Sequence, residues 1–116
     1  MTHLFVLNDA PRASERGYNA LRLATSLAEN RDHRVTVFLL GDGILTAVAG
    51  QEKGADGRDM EWMLRRLGAS GVPIFACGTC MDQRGVTAEM LVAEAERSTL
   101  PVLAALTAEA DKVLVF

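Results

Sequence analysis

Apolar positions along this chain fall into two patterns that alternate, short continuous runs and helical repeats. Residues 3 to 8, HLFVLN, form an apolar run that passes into the turn-rich NDAPRAS, which predicts a first strand leaving the core at its carboxyl end. From 15 to 29 the period changes. Ala20, Leu23, Ala24 and Leu27 lie at i, i+3, i+4 and i+7, while Arg16, Asn19, Arg22 and Glu29 fall elsewhere, which predicts an amphipathic helix with Ser14 as its cap. RVTVFLL, residues 34 to 40, is β-branched and aromatic and predicts a second buried strand, ended by GDG. ILTAVAG then predicts a short helix and QEKGADGRD a surface loop. Met60, Met63, Leu64 and Leu67 restore the helical spacing, with Glu61 four residues before Arg65 as an exposed pair worth roughly 0.3 kcal/mol. GASG stops that helix, and VPIFA is the third strand.

Beyond residue 86 the pattern weakens, and VTAEMLVAEAER is expected to hold a short helix followed by a poor edge strand. Ser98 precedes a clearer helix, with Pro101 in its first turn and Val102, Leu103, Leu106 and Ala110 on one face, before a final strand KVLVF. Strands that read as unbroken apolar runs, separated by helices, indicate an α/β fold whose parallel sheet is covered on both sides.

Composition narrows the function classes. At 116 residues the chain is read as a single domain, 1–116, large enough to bury a core without disulfide or metal staples. A charged fraction of 23% beside 49% hydrophobic residues describes a soluble globular protein. Net charge is −3 with no basic cluster, which argues against nucleic acid as partner, since phosphate binding needs concentrated Lys and Arg. The opening MTHLFVLNDAP has no basic region, and its apolar run is too short for a signal or a membrane span, so a cytoplasmic location with no membrane association is expected. In that reducing compartment the two cysteines should be thiols at rest.

Those cysteines carry the most specific chemistry. In VPIFACGTCMDQRGV, Cys77 falls where the third strand ends, Gly78 lets the backbone turn behind it, and Thr79 and Cys80 complete the turn. A thiolate at Cys77 would be stabilised by turn N–H groups and by Arg84, making Cys77 the primary nucleophile and Cys80 the residue placed to resolve a mixed disulfide or share a bound sulfur atom. Asp82 is expected to bind Arg84 or cap the turn. The plainer reading is that both cysteines are ordinary buried residues. A structural zinc site needs four ligands, and no second CxxC or paired His motif is present; His3 and His33 stand alone at opposite strand starts. No metal or cofactor is therefore expected. CGTC resembles a dithiol redox motif, yet it follows a late strand with no tryptophan directly before it. Neither GQEKGADG nor NDAPRASERG matches a phosphate-binding or dinucleotide fingerprint. Trp62 with Met60 and Met63 is read as core or subunit interface, and Asp9, Arg12 and Asp42 as charges that could line the strand-end cleft.

NDAPRASERGYNALRLATSLAE, FLLGDG, GQEKG, VPIFACGTCMDQRG and LTAEADKVLVF together resemble the DsrE/DsrF-like sulfur-relay family, most closely its YchN-type branch, over essentially the whole chain. The most specific element is Cys77-x-Thr79-Cys80-x-Asp82-x-Arg84-Gly85, supported by Gly50-Gln51. The resemblance implies a three-layer α/β/α sandwich with a mainly parallel sheet of four to five strands, assembled as a homo-oligomer of trimers or hexamers. It implies that Cys77 matches the cysteine carrying persulfide between proteins, and Cys80 the second cysteine of the branch. Asp9 and Arg12-Ala13 depart from the smaller or aromatic residues expected in the first loop.

The leading expectation is thus a cytosolic sulfur carrier, a sulfurtransferase in kind, that takes persulfide sulfur from a protein donor and passes it to a protein acceptor. Two others stand beside it: a non-enzymatic oligomeric small-ligand-binding module, and a CxxC dithiol oxidoreductase.

Overall fold

The computed structural model describes residues 1–54 and 58–116. Five strands, β1 (Thr2–Leu7), β2 (Arg34–Leu39), β3 (Ile74–Cys77), β4 (Ala95–Ser98) and β5 (Lys112–Val115), form one sheet in the order β4-β3-β2-β1-β5. Every pairing is parallel. Between them run α1 (Arg16–Ala28), α2 (Met60–Ala69), the short α3 (Gly78–Gln83) and α4 (Leu100–Glu109). Crossovers between parallel strands are right-handed, so stepping from β1 to β2 to β3 carries α1 and α2 to one face, where they pack on each other. The return from β4 to β5 runs the other way and sets α4 on the opposite face, against β1. The sheet is flanked by helices, as the alternation of runs and repeats predicts.

Central position explains the unbroken apolar runs. Leu4, Phe5 and Leu7 of β1 and Val37, Phe38 and Leu39 of β2 are all buried, because both faces of these strands are covered. Leu21 and Ala24 of α1 and Leu64 of α2 press on one side. The Glu61–Arg65 pair forms at 3.1 Å, and Asp59 caps α2 by accepting the Trp62 N–H at 2.9 Å, worth about 1 kcal/mol.

Several details differ from the sequence pattern. Ser14 donates to Asp9 at 2.6 Å and takes the Arg16 N–H at 3.1 Å, while the residue preceding α1 is Glu15, which makes no side-chain cap. The segment after β2 is a 3₁₀ helix, Gly41–Ala47, that starts inside GDG. It can do so because Gly43 has no side chain: a Cβ there would stand 2.1 Å from the Leu7 carbonyl oxygen. Of the expected loop QEKGADGRD, residues 55–57 lie outside the described residues. Beyond Ser98, Thr99 caps α4 by accepting the Val102 N–H. None of the ten α4 residues is buried and Val102 is exposed; Leu103, Leu106 and Ala110, the last just beyond the helix, lean on the core. The expected buried face is this thin because α4 lies over β1 beside the edge strand β5, not over the middle of the sheet. Trp62 is likewise not core: it is 54% exposed, with the Arg66 guanidinium over its ring.

Candidate functional site

β3 is short and central, so its last residue is delivered to a fixed point at the carboxyl end of the sheet, beside Ser98 of β4. That residue is Cys77. The chain turns at once into α3, which puts Thr79 and Cys80 in the first helical turn above the sulfur. Cys77 Sγ lies 3.2 Å from Thr79 Oγ1 and is 2% exposed. Burial raises its pKa, the largest single influence, but the Thr79 hydroxyl, the Cys80 N–H, the Cys80 thiol and the Thr79 N–H together outweigh it and bring Cys77 below an ordinary thiol.

Cys80 has the opposite bias. Burial and donation to Cys77 hold its proton on, against the Gly41 N–H, which reaches Cys80 Sγ at 3.2 Å, and the more distant charge of Arg84. The two thiols are therefore unequal, one tuned to lose its proton and the other to donate toward it.

The cations are arranged otherwise than the motif suggests. Arg84 donates to Asp42 at 2.8 Å and to the Cys80 carbonyl at 3.1 Å, and its charge bears on Cys80. Asp82, expected on Arg84, instead receives both arms of Arg97 at 2.8 and 3.0 Å, and this pairing holds its carboxyl below the usual range. Arg97 lies in β4, paired with Ala76, the residue before Cys77. Gly78 is not one of the glycines with a left-handed φ, which among the described residues are Gly41, Gly50, Gly71 and Gly85; its lack of a side chain matters because a Cβ would come within 2.8 Å of the Arg97 guanidinium. No local pattern marked Arg97. Only the parallel pairing of β4 with β3 brings it to the dithiol.

Of the charges expected at the strand-end cleft, Asp42 is there, since GDG meets CGTC through Gly41 and Asp42. The first loop leans elsewhere. Arg12 donates to the Glu52 carbonyl and Glu15 pairs with Arg58 at 2.9 Å, enclosing a cavity of about 260 Å³ lined by Pro11, Arg12, Glu15, Gln51 and Met60 and by neither cysteine. Asp9 is occupied with Ser14. Gln51 is a structural residue: its amide donates to the carbonyls of Leu45, Thr46 and Val48, and its N–H meets Glu61 at 2.7 Å.

His3 and His33 do not stand alone. In-register pairing of β1 with β2 brings the two strand starts together, and His3 Nε2 lies 2.9 Å from His33 Nδ1 at the amino end of the sheet, opposite the cysteines. Burial, then His33, lowers the pKa of His3, whose Nδ1 has no partner among the described residues. Among the described residues no group of three or more His, Cys, Asp or Glu could hold a metal ion, and no helix is long and apolar enough to cross a membrane.

Residues 1–116 match the DsrE/DsrF-like family. Protein YchN of Escherichia coli (strain K12) is 40% identical over 114 residues, covering 97% of each chain. A protein named TusC homolog from Vibrio parahaemolyticus is 30% identical, covering 100% of this chain and 98% of its own. The crystal structure of the ychN protein from E. coli superposes with a TM-score of 0.90 at 37% identity, over the whole of both chains.

Proposed function

The chain belongs to the DsrE/DsrF-like family, and from that premise we propose that it is a sulfur carrier whose working atom is Cys77 Sγ. The Cys77 thiolate attacks the outer sulfur of a donor persulfide. A new S–S bond forms at Cys77, the donor S–S bond breaks, and the donor leaves as a thiolate; the outer sulfur then sits on Cys77 as a persulfide until an acceptor thiolate removes it in the same way. No net oxidation occurs and no further reactant is needed.

The observation that carries this reading is the set of donors around Cys77, which lowers the thiol pKa in spite of burial. Thiolate is the attacking species, so a donor set of this kind serves a nucleophile and is not needed by a packing residue. The likeness to a TusC homolog supports a role related to sulfur relay, and the binding-module and dithiol-oxidoreductase readings gain no support from the relatives. Cys80, held as a thiol, supplies a proton toward Cys77 in place of attacking the persulfide.

The carrier is proposed to work as a homo-oligomer, since Leu100 (60% exposed) on α4 and Val115 (67%) on β5 leave an apolar surface uncovered.

Incubation with a cysteine desulfurase and cysteine under anaerobic conditions should add one sulfur to the intact protein by mass spectrometry. Cys77→Ser should abolish the addition and Cys80→Ser should retain it. Wild-type protein that never loads would sink the proposal.

A further inference from the structure

The six-residue α3 that aims donors at Cys77 is too short to hold its own shape, since isolated helices of this length are unstable in water. Something must fix its pitch against β3. The guanidinium of Arg97 touches it at both ends: it lies against the backbone of Gly78 at the start and grips both oxygens of Asp82 toward the finish. Arg97 is itself anchored, because β4 pairs with β3 at Ala76 and Cys77.

We propose that Arg97 is a positioning residue for Cys77: laid on Gly78 and clamped by Asp82, its planar guanidinium sets the first turn of α3 so that the Thr79 and Cys80 donors stay directed at the Cys77 sulfur. This role rests on the carrier reading, since a turn held for a thiolate serves a nucleophile. Geometry carries most of the effect, because the bidentate Asp82 offsets the Arg97 charge that also faces the Cys77 thiolate, and Arg97→Lys measures what charge alone supplies. Around the thiol stand Cys80 on α3, Asp82 with Arg97, and on the far side of Cys80 the Arg84–Asp42 pair. The Arg97–Asp82 bridge is solvent-exposed, and such bridges contribute only about 0–1 kcal/mol, so the fold should survive its loss. Glycine at 78 is the matching half: an added Cβ would not strike backbone but the end of a flexible arginine, and would push it off its seat.

The test is the pH dependence of alkylation at each cysteine, resolved by peptide mass spectrometry, with thermal melting as a check on folding. Arg97→Ala should raise the Cys77 midpoint by about one pH unit, lower that of Cys80 as its bond to Cys77 loosens, and keep a cooperative melt. Gly78→Ala should reproduce that shift while Arg97 is still present. In the Arg97→Ala background Gly78→Ala should add almost nothing, the non-additivity expected of two halves of one contact. Arg97→Lys, which keeps the charge and loses the plane, should recover less than half. An unmoved Cys77 midpoint, full rescue by lysine, or simple addition of the two alanine effects would each overturn the proposal. The titration uses no sulfur donor, so it separates from the loading experiment: shifted midpoints with no loading would leave Arg97 standing and remove the carrier.

Discussion

A thiol that is 2% exposed is a poor acid unless its surroundings favour the anion, and at Cys77 they do so through Thr79 and the first N–H groups of α3. Thr79→Val keeps the shape and removes the hydroxyl 3.2 Å from the sulfur. It should raise the Cys77 pKa by about one unit, a roughly tenfold loss of thiolate at neutral pH, read from ultraviolet thiolate absorbance across a pH series. An unchanged titration would show that backbone donors suffice. At this scale the sequence was partly legible. Cys77 could be placed because a β-rich run ends on it, and Thr79 because it sits inside the motif. Arg84 is visible in the motif, but its bonds to Asp42 and the Cys80 carbonyl are not, and no local pattern marks Arg97, because charge partners are chosen by neighbours far apart in the chain.

Strands and helices were easier to foresee, since an element buried along its whole length writes its period into the residues. β1, β2, α1 and α2 lie where their apolar patterns put them, within a residue or two. The poorly patterned stretch after Gly85 is hard for a physical reason: β4 lies at the edge of the sheet, and its exposed Glu96 and Arg97 break the apolar run that a covered strand would show. GDG announced an ending without saying what required glycine. The requirement is the approach of Gly43 to the Leu7 carbonyl, where backbone meets backbone and neither can give way. Gly43→Ala should therefore destabilise the protein by about 1–3 kcal/mol or more, the cost of forcing volume into a packed site. A urea denaturation midpoint equal to that of the wild type would contradict this.

At the scale of the whole molecule, the two faces of the sheet are unequally covered. α1 and α2 pack on each other over one face, while α4 has no buried residue and β5 presents Val113 and Val115 to solvent. A second copy is the proposed cover. Size-exclusion chromatography with light scattering should give a mass well above the 12.5 kDa of one chain, and Val115→Asp should return it toward that value. A stable wild-type monomer would rule the assembly out. The same edge constrains how the protein is made. β1 is synthesised well before its β5 neighbour at 112–115, and their junction is tied by Thr2 and Asp111 and by Asn8 and Phe116. On a ribosome adding roughly 5–20 residues each second, β1 must wait several seconds with one flank unpaired. The side of the sheet proposed to meet a second copy is thus completed after the other four strands, so the proposed assembly would follow the placing of all five.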